Sequence, residues 1–250
     1  MVRKADTNRV LDAFRSEVTS TFARHDAVYA AMPTGTSRAL FRGLAEDVAF
    51  RLGAEWETFV HEWHIAAISS DPSRFLARHD AHLSRVASEL DKTHAEVQQA
   101  LRAALRFSLT HTWTTPRHLS VETIRAIADS EGRNVSFATV GMWGQGAKKD
   151  LADPYKARVM ALCADPVDSA VVDLVKAVRN GIAHRSSGGI TRVNEAVAEM
   201  TAAANRDLLR PTANNIRSIG TYLDSSTGSS GRRVIVLRDR LLQVAERLRV

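Results

Sequence analysis

The stretch "ADPVDSAVVDLVKAVRNGIAH", residues 164–184, carries the pattern from which the fold class follows. Its apolar residues recur at intervals of three and four, the period of an amphipathic α-helix. Those residues are Val167, Val171, Leu174, Val175, Val178 and Ile182. Two start signals are present, Asp168 and the preceding Asp165 followed by Pro166, because aspartate caps a first turn and proline is tolerated in it. Arg179 and His184 interrupt the apolar pattern near the other end.

The same spacing recurs along most of the chain, and the abundant Ala, Leu and Arg favour helices. We predict helices over 7–31, from Ser37 to about 69, over 120–128, 155–164, 166–184, 191–209 and 211–223, and over the last 18 or so residues, with two weaker helices in 74–110. The glycine-containing stretch 141–150 is expected to be irregular. No repeat of 20 to 50 residues is present, which argues against a solenoid. The sequence therefore predicts an all-α helical bundle.

The domain organisation follows from length and composition. A chain of 250 residues with 44% hydrophobic residues is typical of a globular protein with a sizeable core. Residues 1–223 are predicted to form the helical domain, and the Ser/Gly-rich 224–231 a flexible linker. Residues 232–250 are predicted to form an extra C-terminal amphipathic helix, which either packs back or docks on a partner.

Charge and cysteine content narrow the class of protein. The net charge of +6 is compatible with a polyanionic partner, although the basic residues are spread along the chain. The lone Cys163 excludes an intrachain disulfide and a thiolate zinc cluster. Because the chain has neither an apolar leader segment nor a stretch approaching 18 apolar residues, a cytoplasmic protein without membrane contact is expected.

The spacing of Arg179 and His184 is not informative by itself. A chain of this composition is expected to contain roughly three arginines followed by a histidine after four to six residues. It contains three such pairs, Arg74 with His79, Arg106 with His111, and Arg179 with His184. Only the third pair has an asparagine after the arginine and small residues before the histidine, which let a backbone or a ligand approach closely.

The stretch "VRNGIAH" resembles the motif of the HEPN superfamily, an Arg and a His separated by four to six residues, often with Asn after the Arg. The stretch "LGAEWETFVHEWHIAAI" is similar to the early long helix of the RiboL-PSP group of that superfamily, with Glu57 followed two residues later by an aromatic residue. The order of "IRAIADSEGRNVSFATVGMWG" and "DLVKAVRNGIAH" is similar as well. The resemblance covers residues 36–223 and is strongest at 174–184.

The resemblance implies a helical bundle of HEPN type that forms a homodimer, with two copies of the motif lining one cleft. Active members are metal-independent endoribonucleases, so neither a cofactor nor a metal is expected. Such enzymes resemble toxins or anti-phage defence effectors, which implies RNA as substrate and an antitoxin or regulatory protein as partner. The alternative is a catalytically silent HEPN-like module that binds RNA, a nucleotide or a partner protein.

The chemistry of RNA cleavage assigns roles to the motif residues. A histidine, with an ordinary pKa near 6.5, suits proton transfer with the 2′-hydroxyl, and an arginine suits stabilisation of the charged phosphorane. We expect His184 as general base or acid and Arg179 as phosphate ligand, with Asn180 in support. Glu57 is expected to hydrogen-bond the motif from the facing helix. The exposed Arg185 and Ser186 are candidates for contact with the substrate backbone.

Helix geometry raises a difficulty for this site. Residues five apart differ by about 140° around an ideal helix, so Arg179 and His184 do not share a face. Either the helix bends or ends near Gly181, or the productive partners come from two subunits. A purely structural interpretation also remains, in which the helix ends near Asn180 and Gly181 and the two cationic residue types lie at its negative end.

Other groups of residues give weaker evidence for a functional site. His61 and His64 follow Glu57 at helical spacing, but no glutamate stands three residues before either, so solvated histidines are favoured over a metal site. Trp56, Phe59 and Trp63 are expected in the core or in a dimer interface. The stretch "GMWGQGAKK" lacks the order of a phosphate-binding P-loop.

Overall fold

A computed structural model describes residues 5–79, 119–128, 137–200, 203–209, 215–227 and 231–250. Regular structure in these ranges is helical, apart from one isolated antiparallel bridge between Ser226 and Arg232. The prediction of an all-α helical bundle is therefore confirmed. Within the same ranges, no helix combines the length and the apolar character that crossing a membrane requires.

The helices are α1 Thr7–Ala31, α2 Arg38–Ser70, α3 Val121–Ala128, α4 Val140–Asp150, α5 Tyr155–Ala164, α6 Pro166–His184, α7 Ser187–Ala198, α8 Ile219–Asp224 and α9 Arg233–Glu246. Residues 73–79 are also helical, and Ala203–Leu208 form a 3-10 helix. The remainder of the two helices predicted in 74–110 lies outside the described residues, as does the pair Arg106 and His111.

The chain divides into two compact units, each built from separated segments. The first unit consists of the described residues up to 10, those within 60–160, and residue 250. The second consists of the described residues within 11–59 and 161–249. Helix α2 contributes residues to both units. The predicted limits at 223 and 232, between the helical domain, the linker and the C-terminal helix, lie inside the second unit and stay a prediction.

The second unit has a core formed by α1, α2, α6, α7 and α9. In this core the Phe14 ring stacks on Phe59, with the ring centroids 4.6 Å apart, and meets Trp56 edge-on, with the centroids 5.9 Å apart. The other core side chains are Leu11, Val18, Phe22, Val48, Leu52, Val171, Leu174, Val175, Val178, Val193, Val197, Val234, Leu237, Leu241 and Val244. The prediction that Trp56 and Phe59 are core residues is confirmed.

The first unit is built around Trp63 and Trp143, whose rings meet edge-on with their centroids 6.1 Å apart. Trp143 lies on α4, so the expectation that 141–150 are irregular is wrong. Thr139 caps this helix by accepting a hydrogen bond from the Met142 amide, and Trp143 and Ala147 are buried one turn apart. Burial of these side chains outweighs the poor helix propensity of the glycines.

Three predicted helix boundaries in the second unit are wrong, namely both ends of α7 and the start of α8. Helix α7 begins at Ser187, because the Ser186 hydroxyl caps it by accepting from the Gly189 amide, and it ends at Ala198. Helix α8 begins only at Ile219, where Ser218 caps it. The chain before α8 is not helical at Ile216, because the Asn194 side chain binds the backbone there. Asn194 Nδ2 donates to the Ile216 carbonyl, and Asn194 Oδ1 accepts from the Ile216 amide.

Helix α9 packs back into the second unit, which resolves the choice left open by its amphipathic pattern. Val234, Leu237, Leu241, Val244 and Leu248 are all buried. In the segment before it, the Thr227 amide donates to the carbonyl of Gly231 at 2.8 Å, and the Arg233 amide to that of Ser225 at 3.1 Å. The apolar face of the helix is therefore used within the chain.

Candidate functional site

Helix α6 carries the Arg–His motif without a break. Asp165 caps its start by accepting from the amides of Val167 and Asp168. The helix runs through Gly181 to His184, and Arg185 ends it in the left-handed conformation, with φ of 45° and its N–H bonded to the Gly181 carbonyl. The suggestion that the helix ends near Asn180 and Gly181 is therefore wrong, and the helix ends one turn later.

Gly181 instead serves the packing of α7 against α6. A Cβ atom added at Gly189 would lie 2.8 Å from the Gly181 Cα, and one added at Gly181 would lie 3.3 Å from the Gly189 carbonyl oxygen and 2.6 Å from Cδ1 of Ile219 on α8. Carbon atoms in contact normally stay about 3.5 to 4.0 Å apart, so the two helices approach this closely only because both residues lack side chains. The glycines bring the start of α7 next to the last turn of α6.

Arg179 is held by groups on α2 and on its own helix. Its Nη2 lies 3.3 Å from Oε2 of Glu57, and its Nη1 donates to Oδ1 of Asn180 at 2.8 Å. The guanidinium carbon lies 5.7 Å from the centre of the Phe50 ring. The side chain is 29% exposed, so the guanidinium is anchored and still reaches solvent. The structure thus brings Arg179, Asn180 and Glu57 together.

His184 lies in the last turn of α6, where its side chain is exposed. Among the described residues, no hydrogen bond or ion pair joins its imidazole to Arg179. Asn180 lies four residues before His184, on nearly the same face of the helix.

Arg185 and Ser186 connect α6 to α7, and both are exposed. Arg185 provides the left-handed residue that ends α6. The Ser186 hydroxyl accepts from the Gly189 amide at 3.1 Å, so one of its functions is to cap α7. Both residues lie directly after His184 in the chain, as the sequence requires, and their contact with a substrate stays a prediction.

Lys176 is a further candidate residue, near Arg179 and Glu57, that the sequence analysis did not identify. It precedes Asn180 by four residues and His184 by eight, so the three residues follow one stripe of α6. Burial lowers the pKa of Lys176, and the nearby carboxylates of Glu57 and Asp173 oppose that effect. A second cation next to Arg179 suits an anionic ligand. The spacing of four from Asn180 was the signal that could have identified it.

Phe50 and Gly53 were also missed. They precede Glu57 on α2 by seven and four residues, so the three lie on one face of that helix. The Phe50 ring lies beneath the guanidinium of Arg179, and the aliphatic part of the Arg179 side chain lies against Gly53. The spacing from Glu57 marked this face, but nothing in the sequence identified it as the one that meets α6.

The alternative metal site on α2 has little support from the surroundings of its histidines. His61 and His64 are buried, with exposures of 9% and 1%, so the expectation that they are solvated is wrong. Nδ1 of His64 accepts from the Trp143 indole at 3.3 Å. No group of three metal-ligating side chains occurs among the residues that the structure describes.

No protein-family model matches the chain, and neither does any curated protein or solved structure.

Proposed function

We propose that the protein is a metal-independent endoribonuclease of HEPN type, acting as a homodimer in which the motifs of two subunits share one cleft. The observation that carries the proposal is the state of Arg179. Its guanidinium is fixed by Glu57 and Asn180 and still reaches solvent, and His184, five residues later on the same helix, is exposed. A fixed cation and an accessible imidazole are the two groups that metal-free phosphoryl chemistry needs.

In the proposed reaction, His184 of one subunit removes the proton from the 2′-hydroxyl of the ribose. The 2′-oxygen forms a bond to the adjacent phosphorus, and the bond from phosphorus to the 5′-oxygen breaks. The departing 5′-oxygen receives a proton from the second subunit's histidine, which gives a 2′,3′-cyclic phosphate and a 5′-hydroxyl. Arg179 stabilises the negative charge of the phosphorane. Two subunits supply both proton-transfer groups from one sequence.

The remaining residues have supporting roles in this proposal. Glu57 and Asn180 orient the guanidinium, and Lys176 adds positive charge along the same stripe of α6. The exposed Arg185 and Ser186 contact the substrate backbone. The function class is a toxin or an anti-phage defence effector, neutralised by an antitoxin or regulatory protein.

The test is cleavage of a single-stranded RNA by purified protein in the presence of EDTA, with detection of 2′,3′-cyclic phosphate ends. We expect His184→Ala and Arg179→Ala each to lower cleavage by at least about 100-fold, the usual contribution of such groups. His79→Ala is the matched control, because His79 follows Arg74 at the same spacing, and it should cleave like the wild type.

Three outcomes would argue against the proposal. Equal cleavage by the wild type and both motif variants would identify a contaminating nuclease, and loss of cleavage in EDTA would exclude the metal-free mechanism. RNA binding without cleavage, in a wild-type protein that is harmless when expressed, would favour the catalytically silent module. Growth arrest on induction of the wild type, relieved by His184→Ala, would support the toxin class.

A further inference from the structure

One face of α2 contacts Arg179 at three successive positions. Phe50 lies under the guanidinium, Gly53 meets the aliphatic stem, and Glu57 pairs with Nη2. These three residues are spaced three and four apart, as one helical face requires. We call them the arginine cradle.

Gly53 is the most restrictive part of the arginine cradle. A Cβ atom added there would lie 2.5 Å from Cβ and 2.8 Å from Cγ of Arg179, and 3.5 Å from the carbonyl oxygen of Val175. The first two distances are far below carbon contact, and they involve the base of the side chain, which cannot swing away without moving the backbone of α6. A side chain at position 53 and the present place of Arg179 are therefore incompatible.

Local structure gives no reason for a glycine at this position. Gly53 lies inside a helix of 33 residues, where glycine is among the least favourable residues. Gly43, in the same helix, has no neighbouring atom within 4 Å of its added Cβ. The two glycines thus differ in one respect. Only at Gly53 does another residue, Arg179, lie too close for a side chain to fit.

We propose that the arginine cradle presets the guanidinium of Arg179 and that Gly53 is a positioning residue of the site. The inference rests on the proposed ribonuclease function and adds to it, because it assigns the orientation of the phosphate-binding cation to a helix outside the motif. Glu57 binds Nη2 and Asn180 binds Nη1, so the orientation of the guanidinium is fixed before any substrate binds. A lysine at position 179 has no planar fork with which to keep these contacts.

The first measurement concerns the position of Arg179 and does not depend on activity. In a proton–nitrogen correlation spectrum of the arginine Nε–H groups, the Arg179 signal is assigned by its loss in Arg179→Lys. Gly53→Ala should shift or broaden this signal, whereas Gly43→Ala should leave it unchanged. An unchanged signal in a folded Gly53→Ala protein would overturn the proposal.

The second measurement is the rate of RNA cleavage. Displacement of a positioned group by about 1 Å can cost on the order of 100-fold in rate. We expect Gly53→Ala to lower kcat by about 10- to 100-fold with a smaller change in KM, and Gly43→Ala to retain the wild-type rate. Wild-type kcat in a Gly53→Ala protein whose Arg179 signal has moved would overturn the assignment of Gly53 as a positioning residue.

If Gly53→Ala does not fold, Phe50→Leu decides, because Phe50 is only half-buried and leucine keeps an apolar side chain. A shifted Arg179 signal with reduced cleavage supports the arginine cradle, and a wild-type signal overturns it. The two proposals fail separately. A wild type that cleaves no RNA, with an Arg179 signal that still responds to Gly53→Ala, overturns the ribonuclease function and leaves the arginine cradle in place.

Discussion

His64 is the residue whose environment differs most from what its sequence context indicates. It is 1% exposed, and Nδ1 accepts from the Trp143 indole, which places the hydrogen on Nε2. Asp150 Oδ2 lies 3.8 Å from that Nε2. Burial lowers the pKa of His64, with Asp150 opposing and Arg78 and His61 adding to the effect. Burial in the folded protein therefore favours the neutral imidazole.

The lowered pKa of His64 predicts a loss of stability in mild acid. In the unfolded chain His64 binds a proton at its ordinary pKa near 6.5, while in the folded protein it binds one only at lower pH. The free energy of unfolding is therefore unaffected by protonation of this histidine above pH 6.5 and falls as the pH drops below that value. The free energy of unfolding should decrease by up to about 1.4 kcal/mol per pH unit for each such group. Urea denaturation at pH 7.5 and pH 5.5 measures this slope.

The matched variants for this prediction are His64→Asn and His184→Ala. Asparagine keeps an acceptor for the Trp143 indole without titrating, so the slope should become shallower. His184→Ala removes an exposed histidine and is the control for the loss of one imidazole. A slope equal in all three proteins would assign it to other groups, among them His25, whose pKa is also lowered by burial.

At the scale of elements, α6 and α7 approach through Gly181 and Gly189, and this contact predicts different effects for two neighbouring glycines. An alanine Cβ at Gly189 would lie 2.8 Å from the backbone of α6, while at Gly188 the nearest atom is the Ser186 Oγ at 3.9 Å. Gly189→Ala should destabilise the protein by about 1–3 kcal/mol through overpacking. Gly188→Ala should be neutral or stabilising by up to about 1 kcal/mol, since alanine favours helices.

Thermal and urea unfolding of the two alanine variants checks the expectation for α7. Both substitutions fall in the first turn of α7, so their effects on helix propensity should be similar, and the difference between them reports the contact with α6. Equal stability of the two variants would mean that α7 can withdraw from α6 at little cost. The position of α7 beside the turn of His184 would then not be fixed by these glycines.

At the scale of the whole molecule, the end of α9 is tied to the start of α6 across 82 residues of sequence. Arg247 Nη1 lies 2.6 Å from Asp165 and 2.7 Å from Asp168. The Asp168 side chain is only 7% exposed, and burial raises its pKa while Arg247 opposes that shift. The guanidinium thus compensates a carboxylate that water hardly reaches.

Removing this cation should destabilise the second unit. Arg247→Ala leaves Asp168 without its charged partner, and we expect a loss of about 1–3 kcal/mol, because an unpaired buried charge is costly while Arg247 itself is partly in water. Arg192→Ala is the control, since its ion pair with Glu195 is exposed and should contribute about 0.5 kcal/mol or less. Urea unfolding of both variants measures the difference.

A second substitution tests the cause of this effect. Asp168→Asn in the Arg247→Ala protein removes the uncompensated charge and should restore part of the stability. If the double variant is as unstable as Arg247→Ala alone, the loss comes from the packing of Arg247 and not from the buried carboxylate.

The amino-acid sequence alone determined the helical class and the limits of α3 and α5, and it indicated Arg179, Asn180 and His184 as candidates. These features depend on residues a few positions apart, where spacing, caps and side-chain chemistry act directly.

Only the tertiary structure decided which surfaces meet. It made α4 a helix, buried His61 and His64, packed α9 back into the second unit, and brought Glu57 and Gly53 of α2 against Arg179 of α6. Each of these outcomes depends on burial or close approach between residues far apart in the chain. The free energy of such contacts exceeds local helix propensity, and their partners cannot be identified from local spacing.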